Sequence, residues 1–380
     1  MLKHTEKYFL NIIKGKRNGI IPFFLRSILW VLSWPYALVV TFRNWIFDQG
    51  CLRRYYPPVP VVISIGNIVV GGTGKTPVTL MLAKEFYPDY PIAILSRGYR
   101  SIAEKLAEPT VLCSGNGPVR SPAFCGDEPF LIAQNLPKAF VIVGRNRHKS
   151  SNIAAQAGIQ LILLDDAMQH RRLARDFDVV VMNSHDLFGQ GYFLPRGLLR
   201  EKLSSLARAH LIVLNHVDSS EPFDKLKQQI EKYTKAPVVG TSMEVIAVKT
   251  FVGDLNVSLQ GKKVGVFCGI AHPEYFYHTV EQQGANIVHH ASVADHQEFG
   301  IATLKVFSQK CKSLGAEFIV CTEKDKVKID SEESLSLPIL WVQMGLKIVE
   351  GQQFWNDFIN AVKELGNNNF DDSAAPKPRG

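Results

Sequence analysis

Residues 61–82, VVISIGNIVVGGTGKTPVTLML, decide how the chain is read. The β-branched apolar run Val61, Val62, Ile63 and Ile65 reads as a strand buried on both faces. It leads into Gly71-Gly72-Thr73-Gly74-Lys75-Thr76, after which Val78, Met81, Leu82 and Phe86 recur at helical spacing. A strand, a glycine-rich loop, Lys-Thr and a helix start together make a phosphate cradle. Glycines let backbone N–H groups approach phosphate oxygens, Lys75 reaches the terminal phosphates, and the Thr76 hydroxyl can ligate Mg²⁺. Pro77 suits the first helical turn, where its missing N–H costs nothing. The full pattern G-x-x-x-x-G-K-[ST] calls for glycine at position 69; Val69 stands there, followed by Val70, so Gly71 and Gly72 take over the tight turning. An ordinary glycine-rich turn explains less than a loop with this strand before it and this helix after it. Residues 69–76 are therefore read as a nucleotide site.

A chain of 380 residues can bury one large core or two ordinary ones. With 46% hydrophobic residues, disorder is excluded for most of its length. The net charge of +8 favours acidic small molecules or a membrane surface. No basic patch interleaved with aromatics points to nucleic acid. Six cysteines lie scattered with no C-x-x-C pair, which speaks against a zinc site or a disulfide framework and fits a reducing compartment.

Residues 20–42, IIPFFLRSILWVLSWPYALVVTF, are apolar and aromatic, and cations flank them at Lys14, Lys16, Arg17 and Arg43. No small-residue cleavage site follows, so a signal peptide is not expected. Arg26 and Pro35 interrupt the stretch, leaving it short of the roughly 20 residues of a full span. An interfacial anchor fits better, with Trp30, Trp34 and Trp45 at the headgroups and the cations facing anionic lipid. The plainer alternative is a helix packed on the protein's own core.

From Val59 to Asn215, short apolar runs (61–65, 91–95, 140–144, 161–165, 178–183 and 211–215) alternate with helical segments. This is the pattern of a mostly parallel sheet covered by helices. Residues 101–126 read as loop and 238–258 as short extended pieces; a second α/β unit begins at 262, and a helix over 351–365 closes it. The expected organisation is a membrane-associated helical segment (1–50), a P-loop domain (51–237), linker strands (238–260), a smaller α/β lobe (261–366) and a disordered tail (367–380).

Ligands of such sheets sit beyond the carboxyl ends of the strands, so the polar residues there are read as a set. The run 161–164 ends in Asp165-Asp166, acids of the kind that position Mg²⁺ in P-loop proteins, although strand-end acids also serve as plain caps. Gln169, His170 and Arg171 follow and are candidates for phosphate or substrate contacts. Further cations lie in SRGYR (Arg97, Arg100), GRNRHK (Arg145, Arg147) and LPRGLLRE (Arg196, Arg200). Gathered at one rim they would imply a strongly anionic substrate beside the nucleotide; scattered, they are solvated charges. Asp127 in Gly126-Asp127-Glu128-Pro129 reads locally as a helix N-cap. Asn215-His216-Val217-Asp218 loosely resembles the guanine-reading N-K-x-D of GTPases, with histidine in place of lysine.

Together these pieces resemble the tetraacyldisaccharide 4'-kinase family, the lipid A 4'-kinases. The resemblance runs through VGGTGKTP, LSRGYR, GDEP, GRNR, LLDDAMQH, LPRGLLRE, GIAHP, the Asp-His of ADHQEF and TEKD, in that order over almost the whole chain. It implies two α/β lobes joined by a stranded linker, with ATP and Mg²⁺ as cofactors. It further implies transfer of the γ-phosphate to the 4'-hydroxyl of a tetraacylated glucosamine disaccharide 1-phosphate, at the cytoplasmic face of the inner membrane. On this resemblance Asp127 and His296 are the catalytic Asp–His pair, which displaces the cap reading of Asp127. Lys75 and Thr76 serve ATP and Mg²⁺, Asp165 and Asp166 form the acidic strand end, and Arg200 and Glu201 lie in a further active-site motif. Ala167-Met168 depart from the glycine-containing loop common in the family. A P-loop GTPase or metallochaperone would share the cradle and is the alternative.

Overall fold

A computed structural model describes residues 11–13, 15, 17, 19–217, 222–270, 273–293, 299–329, 331–332 and 334–371. Along the chain its strands are β1 (Val61–Gly66), β2 (Ile92–Ser96), β3 (Thr110–Ser114), β4 (Phe140–Val143), β5 (Leu161–Asp165) and β6 (Phe177–Asn183). They continue with β7 (Leu211–Asn215), β8 (Val238–Thr250), β9 (Lys263–Cys268), β10 (Asn286–Ser292), β11 (Phe318–Thr322) and β12 (Ile339–Glu350). Two compact units result. The first holds the described residues up to Arg97, Asn146–Ser242 and those from Ile348 on; the second holds Gly98–Arg145 and Met243–Lys347.

In the first unit β8, β7, β6, β1, β5 and β2 lie side by side and parallel. Both faces of β1 and β5 are buried, which is why their sequences are apolar without alternation. β1 sits mid-sheet between β5 and β6, with Ile65 paired to Asp165. This register sets the acidic end of β5 beside the end of β1, from which the glycine loop departs. The helix Lys75–Phe86 packs on β1 and β5, burying Val78, Leu82 and Phe86. The helix Gln352–Asp371 also packs on β1. Its Trp355 is buried and donates its ring N–H to Glu85 at 3.0 Å.

In the second unit β10, β9, β11 and β12 are parallel neighbours, and β3 pairs antiparallel with β4. One core gathers Val264, Val266, Val280, Val320 and Leu340, another Phe267, Leu304, Phe307 and Ile319.

The helix Ile20–Asp48 runs unbroken through Arg26 and Pro35. Ser33, Val40, Asn44 and Phe47 are buried at helical spacing, while Ile20, Ile21, Phe23, Phe24, Ile28, Val31, Leu32, Leu38, Val39 and Phe42 are each more than half exposed. By length and composition it is able to cross a membrane.

Three stretches differ from the expectation. Residues 101–126 contain a strand, β3, whose partner β4 is more than twenty-five residues away in sequence. The pieces expected over 238–258 include one thirteen-residue strand, β8. The closing helix runs to Asp371, five residues into the stretch read as tail; the remaining tail residues lie outside those described. The compact units also differ from consecutive blocks, because 98–145, inserted between β2 and the helix Arg147–Gln156, groups with the later residues.

Candidate active site

The loop after β1 has the backbone that a phosphate cradle requires. Gly74 takes a left-handed conformation (φ 82°) just before the helix Lys75–Phe86, and no side chain caps that helix start. Its first-turn N–H groups are thereby left for an anion. Gly71 also has positive φ (123°), and a Cβ added at Gly71 or Gly72 would meet nothing within 4 Å, so the loop backbone borders open space. A Cβ at Gly74, by contrast, would run into the Asn215 amide.

Buried side chains hold the loop from beneath. Asn67 donates to the Thr73 hydroxyl at 3.0 Å, and Asn215 donates to the carbonyls of Thr73 at 2.7 Å and Gly74 at 3.3 Å. Thr241 of β8 in turn bonds the Asn215 side-chain oxygen. The Val70 N–H donates to the Leu198 carbonyl at 2.7 Å, and Val69 bridges Leu199, which ties the loop to the segment bearing Arg200. Asn215, weighed in the sequence as a base reader, is spent on bracing the cradle.

The two aspartates at the end of β5 have different roles. Asp165 is buried; its Oδ2 accepts from the Ser96 hydroxyl at 3.0 Å and its carbonyl accepts from Arg147 at 3.0 Å. Asp166 adopts a left-handed conformation (φ 48°), and its carboxylate meets Arg200 at 2.9 Å and Lys75 at 3.6 Å. Burial alone would raise its pKa, but Lys75 and Arg200 together hold it below the usual carboxylate range. Arg200 also donates to Gln169 at 3.2 Å, and Gln169 donates to the Asn67 carbonyl at 2.8 Å. Lys75, Asp166, Arg200 and Gln169 thus form one connected polar group at the mouth of the cradle.

Among the described residues there is no cluster of three or more His, Cys, Asp or Glu side chains able to hold a metal unaided. The donor set of one or two carboxylates, the Thr76 hydroxyl and phosphate oxygens suits Mg²⁺, which favours such partly borrowed coordination.

Two further cations read as substrate contacts, Arg147 and Arg171, make bonds within the protein. Arg147 is buried; loss of solvent pushes its pKa down to about 10 against the pull of Asp165 and Asp166, so it stays charged at neutral pH. Arg171 is buried against the long apolar helix. It donates to the Asn44 carbonyl at 3.0 Å and to Asp48 at 2.6 Å, with its guanidinium over the Phe47 ring. Glu201 is 0% exposed and accepts from Asn44 of that helix at 2.8 Å and from Arg208 at 2.7 Å. Tyr36 of the same helix donates to the Arg200 carbonyl at 3.3 Å. Arg171 and Glu201 therefore fasten the apolar helix to its own unit. His170 is driven down to about 4 by burial and by Arg147, Arg175 and neighbouring charges, which keeps it neutral. Arg97 is exposed at the end of β2.

Arg100, Arg145 and Asp127 belong to the second unit. Arg100 has positive φ (62°) and lies over Tyr99, and Arg145 is exposed. Gly126 holds the N-cap of the helix Asp127–Asn135, so Asp127 is its first residue and not its cap, which differs from the local reading. The Asp127 carboxylate pairs with Lys328 at 3.2 Å. His296 lies outside the described residues. The sequence reading passed over Asn67, Ser96 and Lys328. Ser96, a polar residue closing an apolar strand, carried the same strand-end signal as Asp165.

Comparison with known proteins fits this geometry. The model of the family LpxK, tetraacyldisaccharide-1-P 4'-kinase, matches residues 25–363. The tetraacyldisaccharide 4'-kinase of Halothermothrix orenii is 31% identical over 373 residues, covering 91% of this chain and 96% of that protein. That of Anaeromyxobacter sp. strain K is 35% identical over 355 residues, covering 91% and 90%. A crystal structure of LpxK from Aquifex aeolicus in complex with ATP aligns with a TM-score of 0.74 at 27% identity, covering 90% of this chain and 99% of that one. The chain belongs to the tetraacyldisaccharide-1-P 4'-kinase family.

Proposed function

We propose that this enzyme transfers the γ-phosphoryl group of ATP to the 4'-hydroxyl of a tetraacylated glucosamine disaccharide 1-phosphate, working at the cytoplasmic face of the inner membrane. The observation that carries the reading is the connected group Lys75–Asp166–Arg200–Gln169 at the mouth of an open glycine cradle. Lys75 and Arg200 share the Asp166 carboxylate. Both cations lie where they would meet the transferring phosphoryl group, and Asp166 is one of the carboxylates that would hold the metal. Thr76 with Asp165 or Asp166 would hold Mg²⁺, which when bound would supply charge neutralisation to the phosphates.

In the transfer, the acceptor oxygen forms its bond to the γ-phosphorus while the bond from that phosphorus to the β–γ bridging oxygen breaks. The electron pair leaves with ADP. Asp127, oriented by His296, takes the hydroxyl proton. Arg97, Arg100 and Arg145 are proposed as contacts to the anionic acceptor; Arg147 acts indirectly, by fixing the Asp165 backbone. Incubating the enzyme with γ-labelled ATP and the disaccharide 1-phosphate lipid should give a labelled bisphosphorylated lipid. Label released only as inorganic phosphate would refute the reading.

Two outcomes follow from the parts around this site. Asn215→Ala removes both bonds under Thr73 and Gly74. Losses of this kind cost about 1–3 kcal/mol, so ATP should bind roughly tenfold or more weakly in a titration while the fold persists. The apolar helix is proposed to lie in the membrane interface, its exposed face in lipid and its buried stripe on Arg171 and Glu201. Phe24, Val31 and Leu38 lie on one exposed face. Each apolar side chain withdrawn from lipid is worth about 1.5–3 kcal/mol. Replacing all three by glutamate should move most of the enzyme to the soluble fraction on sedimentation, with ATP binding retained.

A further inference from the structure

Lys328 makes an unusual commitment. Its side chain is only 4% exposed, and its ammonium lies 3.2 Å from Oδ2 of Asp127, itself 18% exposed. Burying a lysine costs several kcal/mol before any pairing is counted. A neutral hydrogen-bond donor would hold a helix end at less cost, so the charge calls for an explanation beyond packing.

The surrounding bonds show how firmly that charge is placed. Thr322 ends β11 and donates to Asp325 at 2.6 Å, and the buried Asp325 accepts the Gly269 N–H at 3.0 Å and 3.1 Å, one bond to each oxygen. The segment is thereby locked to the end of β9. The Lys328 N–H donates to the Asp325 carbonyl at 3.1 Å, which carries the lock on to the lysine. The same segment holds the helix Asp127–Asn135 at both ends: Lys328 pairs with Asp127 at its start, and Glu323 accepts from Asn135 at its finish, at 2.8 Å. TEKDKVK (322–328), which the mechanism does not otherwise use, is thus a brace fitted to the helix that carries the proposed base.

We infer that Lys328 is a positioning residue for the phosphotransfer, holding the Asp127 carboxylate by Oδ2 so that it meets the acceptor hydroxyl in a fixed orientation. The inference rests on the reading of Asp127 as the base. A general base works only within hydrogen-bond reach and in the right attitude, and a misplacement of about 1 Å can cost on the order of 100-fold.

The test is a cycle of Lys328→Met, Asp127→Asn and the double variant in the full-length enzyme. It is read as kcat and as KM for ATP with the disaccharide 1-phosphate lipid as acceptor. Lys328→Met should lower kcat by about 100-fold with KM for ATP unchanged. Lys328→Arg should restore most of the loss. In the Asp127→Asn background, where no carboxylate remains to be oriented, Lys328→Met should add almost nothing. A purely structural brace would cost the same factor in both backgrounds, and that result would overturn the inference, as would wild-type kcat in Lys328→Met. If Lys328→Met does not fold, Lys328→Gln and the double variant are read in the same way. If Asp127→Asn turns over like wild type, the base reading itself has failed, and the role given to Lys328 with it. If Asp127→Asn is impaired and Lys328→Met or Lys328→Gln is not, the base stands and the positioning role is refuted.

Discussion

Lys75→Met should lower turnover by several orders of magnitude while the protein stays folded. Phosphoryl transfer leaves little covalent chemistry to the protein, so positioning and electrostatic stabilisation supply nearly all of the acceleration. Lys75 is the first residue of its helix, at the point where the loop backbone turns toward open space, and its ammonium already faces Asp166. Methionine keeps the helical propensity and the apolar stem but removes the charge. Asp166 would keep Arg200 at 2.9 Å, so the site should not come apart. Circular dichroism and thermal melting should match wild type within experimental scatter. Turnover within tenfold of wild type would refute the cradle assignment.

Asp127→Ala and His296→Ala should each cut turnover heavily with little change in ATP affinity, and the double variant should be hardly worse than the poorer single. A sugar hydroxyl has a pKa far above neutrality, so its proton must leave as the new oxygen–phosphorus bond forms. If one side chain takes the proton and the other orients it, losing either disables the pair, and the effects are grossly non-additive. The nucleotide is held by other residues, so its binding should not report the loss. Strictly additive losses in single-turnover assays would mean that the two side chains act independently. Because Gly126 already caps the helix, any stability lost in Asp127→Ala reflects its pairing with Lys328 and not a missing cap.

What was legible in the sequence and what was not divides along physical lines. The cradle could be read because its chemistry is local and mostly backbone: the strand, glycines, Lys75 and Thr76 are consecutive, and the geometry of the turn demands those residue types. Asp165-Asp166 could be read because a polar pair closing an apolar strand is costly unless it is used. The braces could not. Asn215 lies 141 residues from Gly74, and Lys328 lies further still from Asp127, so only the folded chain brings them together.

Charge does not show what else a residue does. Arg171, read from its place after a strand end, and Glu201, read from the family resemblance, also meet the stripe of Asn44, Phe47 and Asp48 on the apolar helix. Which face of a helix is buried depends on a partner surface that local spacing does not reveal. β3 was hidden for a related reason. It is a short strand beside glycine and proline whose pairing with β4 is non-local.

The measurement that bears most directly on the central claim is phosphorus NMR of the lipid product, purified after reaction of the enzyme with ATP and the disaccharide 1-phosphate acceptor. Two phosphomonoester signals, one coupled to the proton at the 4' position and one at the 1 position, are the predicted result. A diphosphate at the 1 position, or an acceptor recovered unchanged while ATP is consumed, would contradict it.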